Sequence, residues 1–396
     1  MTSFSESELD DLIRRALDAD SSVALPASRA FFRDVIEQNC DLFEPAAAQR
    51  YAELFASVVA RVLPGYDAGT LIERYQRVRR VKRCNGQPDR VCVLSRVTLG
   101  ADVAVTSVLL DAAKLRFPEA EICLIGPNKN LELFAGDPGI AQLPIQYGRS
   151  SCLRDRVLAS ESVRELVNKK GTLIIDPDSR LTQLGLIPVC DEENYLFFES
   201  RAYGAESSLP LSTLAARWAE ATFGMPNARP YLRPVLKPTT AAITVSLGVG
   251  ENDEKRIGDE LELRAISKLV SLGARMLIDE GAGGEESARV RGLVGALGCP
   301  ENLRLHRGSF ASFASHIMQS RLYFGYDSAG QHVAAISGVP LVVVFAGYAC
   351  ERTFERWRPT GPGPIHLVKA RAGNSARVME ETLAALTSAA AEAGLS

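Results

Sequence analysis

Near the C-terminal end of the chain, Asp327-Ser328-Ala329-Gly330-Gln331-His332 brings a carboxylate, a hydroxyl, a glycine and an imidazole into six consecutive positions. The residues just before it read as a strand; those after it read as a short helix of small residues and then a second apolar strand ending at Phe345. A helix start offers unpaired amides and the positive end of the helix dipole, so this turn is predicted to take an anion such as a phosphate or nucleotide. Its small residues let a ligand approach the backbone closely. Lys255 and Arg256 fall in the expected first turn of a helix running from about Glu254 to Leu272. Cations there oppose the dipole unless an anion shares the site, which points to a phosphate clamp; the neighbouring Glu251, Asp253 and Glu254 leave a solvated mixed-charge turn as the other reading. Glu285 follows a glycine-rich turn, Asp279 to Gly284, and is positioned like carboxylates that take ribose hydroxyls, with Glu280 and Glu286 as close competitors. Arg352, Arg356 and Arg358 surround Trp357 in an expected loop, either as contacts for a donor phosphate or acidic acceptor or as a solvated loop end. His306, His316 and His366 show no paired ligand spacing, and neither a metal nor a cofactor is expected.

The elements that must position these groups divide the chain. Residues 1–85 have apolar positions at helical spacing throughout, as in Leu54, Phe55, Val58, Val59 and Val62, and are predicted to form a helical extension ending in a basic run from Arg77 to Arg83. From Arg90 short apolar strands alternate with helices: Val91 to Ser95, Ile122 to Gly126, Thr172 to Asp176 and Tyr195 to Phe198 are the strands, and Val103 to Arg116 is the first helix. That alternation implies a parallel sheet covered on both faces, so 86–225 is read as one Rossmann-like domain. Pro226, Pro230, Pro234 and Pro238 mark 226–240 as a stiff linker. A second Rossmann-like domain is expected over 241–375, and a final helix over 376–396. The predicted fold class is therefore α/β, two Rossmann-like domains facing each other across a cleft, with ligands at the C-terminal ends of the strands.

Composition narrows the partners. A chain of 396 residues with 46% hydrophobic and 23% charged residues is an ordinary globular protein, too long for one core. A net charge of -3 gives no pull toward nucleic acid. The eight cysteines are scattered with no metal-binding or paired spacing, which suits free thiols in a reducing compartment. With no signal-peptide pattern at the N-terminus and no apolar run near spanning length, a cytoplasmic protein is expected, with peripheral membrane association left open.

Asp327-Ser-Ala-Gly-Gln-His332 together with Gly338-Val-Pro-Leu-Val-Val-Val-Phe345 resembles the nucleotide-binding signature of the glycosyltransferase family 9 proteins, the lipopolysaccharide heptosyltransferase-like enzymes. Ser95-Arg-Val-Thr-Leu-Gly-Ala-Asp102 and Leu115-Arg-Phe-Pro-Glu-Ala-Glu-Ile122 are similar to that family's Gly-Asp turn and the run that follows it. Here Ala101 stands between Gly100 and Asp102, where the family has Gly and Asp adjacent. The resemblance covers about 90–370 and implies the GT-B fold and metal-independent, inverting transfer of a sugar from a nucleotide-sugar donor to an acceptor hydroxyl. It makes Asp102 the catalytic base, although Asp102 also reads as the N-cap of a helix starting at Val103. It makes Lys255 the phosphate-binding lysine and assigns Ser328, Ala329, Gly330 and His332 to the donor diphosphate, with Asp327 either capping the helix or orienting the pocket. Arg96, Arg352 and Arg356 become candidate phosphate or acceptor contacts. The acceptor class, whether glycan, lipid-linked glycan or protein, is not legible. An epimerase or hydrolase of nucleotide sugars on the same fold, or a noncatalytic nucleotide-sugar-binding scaffold, fits the same pattern.

Overall fold

The computed structural model describes residues 5–40, 42–148, 151–237, 241–250, 252–281, 283–370 and 375–395; Pro238 of the expected linker, Glu251 and Ala282 lie outside them. The chain divides into two compact units. The first comprises the chain up to Leu131, Pro138–Pro230 and Ala349–Trp357; the second comprises Glu132–Asp137, Tyr231–Tyr348 and everything from Arg358 onward.

The first unit is built on a five-stranded parallel sheet, β1 (Arg90–Leu94), β2 (Glu121–Gly126), β3 (Ala141–Pro144), β4 (Thr172–Asp176) and β5 (Tyr195–Phe197), in the order β3-β2-β1-β4-β5. β1 and β4 are buried at every position, which is why they read as unbroken apolar runs. The edge strand β3 alternates half-buried with exposed residues and ends on a proline, so no such run announced it. The N-terminal helices, expected outside the sheet domain, share its core. Phe31 and Phe55, both 0% exposed, belong to the same apolar cluster as Cys92, Ile174 and Phe197. Burying each such aromatic stabilises the unit by about 1.5–3 kcal/mol. The helix after β1 starts earlier than expected: helical turns at Leu99–Ala101 and Asp102–Thr106 lead into Ser107–Arg116. Thr98 is the N-cap, so Asp102 is not the cap of a helix at Val103 but lies inside the helical run.

The second unit has a six-stranded parallel sheet, β6 (Ile243–Ser246), β7 (Met276–Asp279), β8 (Leu303–His306), β9 (Leu322–Tyr326), β10 (Leu341–Phe345) and β11 (Ile365–Lys369), in the order β11-β10-β9-β6-β7-β8. β8 has exposed Arg304 between buried Leu303 and the buried His306, and this polar edge hid it in the sequence. The final helix, Ser375–Glu392, buries Val378, Leu386, Ala389 and Ala390 against this unit. Glu351–Trp357, expected as loop, is a helix. No helix among the described residues is long and apolar enough to cross a membrane.

Each sheet has a topological switch point, where strand order reverses and where open α/β sheets bind ligands. In the first unit it lies between β1 and β4, and in the second between β6 and β9.

Candidate functional site

At the switch point of the second unit the loops after β6 and β9 meet. The loop after β6 makes a short 3-10 turn, Asp253–Lys255, capped by Asn252, whose side chain accepts from the Glu254 amide at 3.0 Å. Lys255 and Arg256 therefore do not occupy the first turn of the long helix, which begins at Asp259. The two cations part company here. Lys255 reaches Asp327 beyond β9, Nζ to Oδ2 2.6 Å, with its side chain 27% exposed. Arg256 turns back to Glu262, Nε to Oε1 2.8 Å, and to Asp259, and Arg289 and Tyr326 converge on the same Glu262 carboxylate. Its hydrogen bond to Glu262 raises the Arg256 pKa despite partial burial, so this guanidinium is fixed in a structural network, whereas the Lys255 side chain stays partly exposed.

Ser328, not Asp327, is the N-cap of the helix Ala329–Ile336, and its side chain makes no capping bond. Asp327 instead bridges Lys255 and the Gln331 amide. Among the described residues the buried hydroxyls of Ser328 and Tyr323 have no hydrogen-bond partner. Gly330 is required by the packing, since a side chain there would collide with the Tyr323 ring and hydroxyl. Gly347 has φ 61° and its Cα faces the 254–255 backbone so closely that a Cβ would lie 2.6 Å from the Glu254 carbonyl carbon. The loops after β6, β9 and β10 thus converge near the amino end of one helix, beside Lys255.

His332 does not start this helix but sits within it, 6% exposed. Burial pushes its pKa down to about 4, Asp327 opposing and Lys255 assisting, so the ring is neutral at pH 7. An unfolded histidine protonates near 6.5 while the folded ring resists until about 4, so between those values the unfolded state binds more protons. Native stability gained from the neutral ring is complete above 6.5 and is lost as pH falls through 4. The drop in thermal midpoint between pH 7 and pH 5 is expected to be smaller in His332→Gln than in the wild type. Equal drops would show that His332 titrates normally.

The three acids near the glycine-rich turn separate cleanly. Glu280 is buried and taken by Ser287, Arg291 and Arg307, of which the Ser287 hydrogen bond contributes most to holding its carboxyl down at about 2. Glu285 is exposed in the first turn of the helix Gly284–Ala296. Glu286 lies across Gly248 and Gly281, where any side chain would strike its carboxylate. Those glycines follow β6 and β7, so Glu286, rather than Glu285, lies at the strand tips. The bare glycines at 248 and 281 were the signal in the sequence.

In the first unit Asp102 is 0% exposed and its carboxylate is saturated. Ser95 Oγ at 2.7 Å and Asn130 Nδ2 at 2.6 Å donate to Oδ2, and the Arg96 amide at 2.7 Å and Thr106 Oγ1 at 2.6 Å donate to Oδ1. Burial pushes its carboxyl pKa up against these four bonds. A carboxylate has about four acceptor positions, so none is left for a substrate hydroxyl in this arrangement, and Asp102 ties β1, the following helix and Asn130 together. Arg356, 2% exposed, donates to the Leu209 carbonyl at 2.6 Å and the Gly204 carbonyl at 2.8 Å, and Arg352 donates to the Phe43 carbonyl at 3.1 Å. Arg356 is thereby a structural clamp and not an open phosphate contact. Arg96, by contrast, stands at the switch point with its guanidinium on Ser200.

No protein-family model matches the chain, and no curated protein matches it in sequence. Solved structures do match in fold. A glycosyl transferase family 9 protein from Veillonella parvula DSM 2008 superimposes with a TM-score of 0.58 at 15% identity over 78% of this chain and 98% of its own. The E. coli heptosyltransferase WaaC with ADP gives 0.56 at 13% identity over 77% and 99%, and the E. coli ADP-heptose lps heptosyltransferase II gives 0.50 at 16% identity over 76% and 99%. Two parallel sheets with flanking helices in two α/β units define the GT-B class of fold. Within that class the chain has the fold of the family 9, heptosyltransferase-like proteins.

Proposed function

We propose that this chain is a glycosyltransferase that moves a sugar, with inversion and without a metal, from a nucleotide-sugar donor to an acceptor hydroxyl. The observation that carries the proposal is the convergence at the second switch point of Lys255, Asp327 and the uncapped amino end of Ala329–Ile336. In a transfer the departing diphosphate gains charge; Lys255 and the helix amides supply positive potential where that charge develops. Glu286 takes the ribose hydroxyls. One similar structure is described with ADP and another as an ADP-heptose enzyme, which favours an adenosine donor. All eight cysteines are free, which suits a cytoplasmic location.

The test is titration of the full chain with ADP, UDP and GDP, followed by assay of sugar release or transfer from ADP-heptose. ADP is expected to bind most tightly, and Glu286→Gln to weaken it about tenfold while Glu285→Gln leaves it unchanged, the loss of one hydrogen bond to a charged group. Failure of every nucleotide to bind would refute the proposal, and equal effects of the two glutamate variants would refute the ribose assignment.

The saturated Asp102 favours a second reading, a noncatalytic binder of nucleotide sugars. ADP-heptose binding with neither transfer to any acceptor nor hydrolysis would support it; on the leading reading a base must be recruited by releasing one of the four donors.

A further inference from the structure

In the second unit Asp279, His306 and Ser312 form a hydrogen-bonded chain that takes no part in the proposed nucleotide-sugar site. Strand register sets up its first link. β7 and β8 pair in parallel with Asp279 opposite His306, so the last residues of the two strands stand side by side at the carboxyl edge of the sheet. The chain then turns through Arg307 and Gly308 and enters the helix Phe310–Ile317, capped by Ser309, whose side chain accepts from the Ser312 amide at 3.3 Å. That short connection brings Ser312, in the first turn of the helix, back to His306.

His306 Nδ1 lies 3.3 Å from Asp279 Oδ1, and Nε2 lies 2.7 Å from Ser312 Oγ. The carboxylate sets the direction of both bonds. It only accepts, so Nδ1 carries the ring proton, and Nε2 is left with a lone pair to accept from the Ser312 hydroxyl. The Ser309 carbonyl, 2.8 Å from Ser312 Oγ, competes for the same proton and keeps the hydroxyl folded back toward the amino end of its helix. Packing holds the ring: His306 is 9% exposed, with its centroid 5.2 Å from that of Phe313 and 5.7 Å from that of His316. Hydroxyl, imidazole and carboxylate in that order are the arrangement that activates a serine as a nucleophile.

A structural serine needs no approach from solvent; Ser312 has one. It is half-buried, and the exposed Gly308 stands over the pair: a Cβ there would lie 2.9 Å from Ser312 Oγ and 3.2 Å from His306 Nε2. The φ of Gly308 is outside the left-handed region, so the backbone does not call for glycine, and the missing side chain leaves room, the size of a methyl group, at the nucleophile. The Ser312 amide is taken by the Ser309 side chain and the Phe313 amide by the Ser309 carbonyl. That leaves the Phe310 and Ala311 amides, at the positive end of the helix, to face a developing oxyanion.

We infer that Ser312, His306 and Asp279 form a second catalytic site, an esterase for small acyl esters such as acetyl esters. Ser312 Oγ attacks the ester carbonyl carbon while its proton passes to His306 Nε2, and the carbonyl oxygen takes the negative charge. As the ester C–O bond breaks, the alcohol leaves with the proton from His306 and the acyl group stays on Ser312. Water then attacks the acyl carbon and gives its proton to His306; the acyl–Oγ bond breaks, Ser312 recovers the proton, and a carboxylic acid is released. Asp279 is a positioning residue that holds the ring in the required tautomer.

The experiment exposes the full chain to methanesulfonyl fluoride, a serine reagent with a methyl-sized tail, and separately follows hydrolysis of para-nitrophenyl acetate. The sulfonyl adduct is expected on Ser312, located by mass spectrometry of the digested protein. Ser312→Ala and His306→Gln are each expected to lower kcat/KM for the ester about 100-fold or more. Asp279→Asn is expected to lower kcat about 10-fold or more with KM unchanged, a split that a merely structural aspartate would not produce. Gly308→Ala, which closes the approach, is expected to suppress the Ser312 adduct while the thermal midpoint stays close to that of the wild type. No adduct, an adduct on another residue alone, or hydrolysis that continues at the wild-type rate in Ser312→Ala would overturn the inference. Should Ser312→Ala fail to fold, undiminished labelling in Gly308→Ala would do the same. Neither assay contains a nucleotide, so an inert Ser312 leaves the nucleotide-sugar reading standing, and failure of ADP to bind leaves the esterase site standing.

Discussion

Asp102→Ala is expected to lower the thermal midpoint of the chain by about 10 °C or more, before any question of turnover arises. The substitution strands four buried donors at once: the Ser95 and Thr106 hydroxyls, the Arg96 amide and the Asn130 side-chain amide. Each buried donor left without a partner costs about 1–3 kcal/mol. Relief of the burial that raises the Asp102 pKa offsets part of this, leaving a net loss of roughly 3–5 kcal/mol. Asp102→Asn should cost about half as much. Its oxygen can still accept from the Arg96 amide and Thr106, while its new N–H₂ needs an acceptor, and Asn130 Oδ1 is buried with no partner among the described residues. A flip of the Asn130 amide would supply that acceptor. Thermal melts of the three proteins decide the matter. An alanine variant that melts with the wild type yet has lost turnover would show Asp102 to be an accessible base, and the saturated hub described above would be wrong.

The same residue shows what the sequence could and could not say. The strand before Asp102 and the helix after it were legible, and their alternation along the chain implied the right fold, because strands and helices leave periodic marks. The donors around Asp102 were not legible, since Asn130 comes from beyond another strand and only the folded chain brings it near. Strands buried on both faces announced themselves, as β1, β4, β9 and β10 did; the half-exposed β3 and polar β8 did not. The N-terminal helices showed their apolar faces without showing what those faces cover, and the answer is the core of the first sheet. Neighbouring like residues were the hardest to rank. Lys255 and Arg256, or Glu285 and Glu286, differ by one step along the chain but point to different partners, a matter of local backbone direction that composition does not encode.

Lys255→Ala is expected to weaken nucleoside diphosphate binding by roughly 30- to 1,000-fold, equivalent to about 2–4 kcal/mol. The loss should exceed that of one charge-assisted hydrogen bond because of what Lys255 leaves behind. Its ammonium lies 2.6 Å from Asp327 Oδ2, so without a ligand the two charges cancel at the amino end of Ala329–Ile336. Removing the lysine deletes a cation that would meet the diphosphate and also exposes the diphosphate to the Asp327 carboxylate. The protein itself should remain folded, since the lysine is 27% exposed and Asp327 keeps the Gln331 amide as a donor. The two causes separate in a double-mutant cycle. Asp327→Asn in the Lys255→Ala background removes the repulsion while retaining a side-chain oxygen for Gln331 to donate to, and should restore about tenfold of the affinity. Asp327→Asn alone, freeing Lys255 from its partner, should bind at least as tightly as wild type. Calorimetric titration with ADP reads all four corners. Unchanged affinity in Lys255→Ala would remove the lysine from the site, and a failure of Asp327→Asn to restore binding would show that the cation alone, rather than the uncovered carboxylate, accounts for the loss.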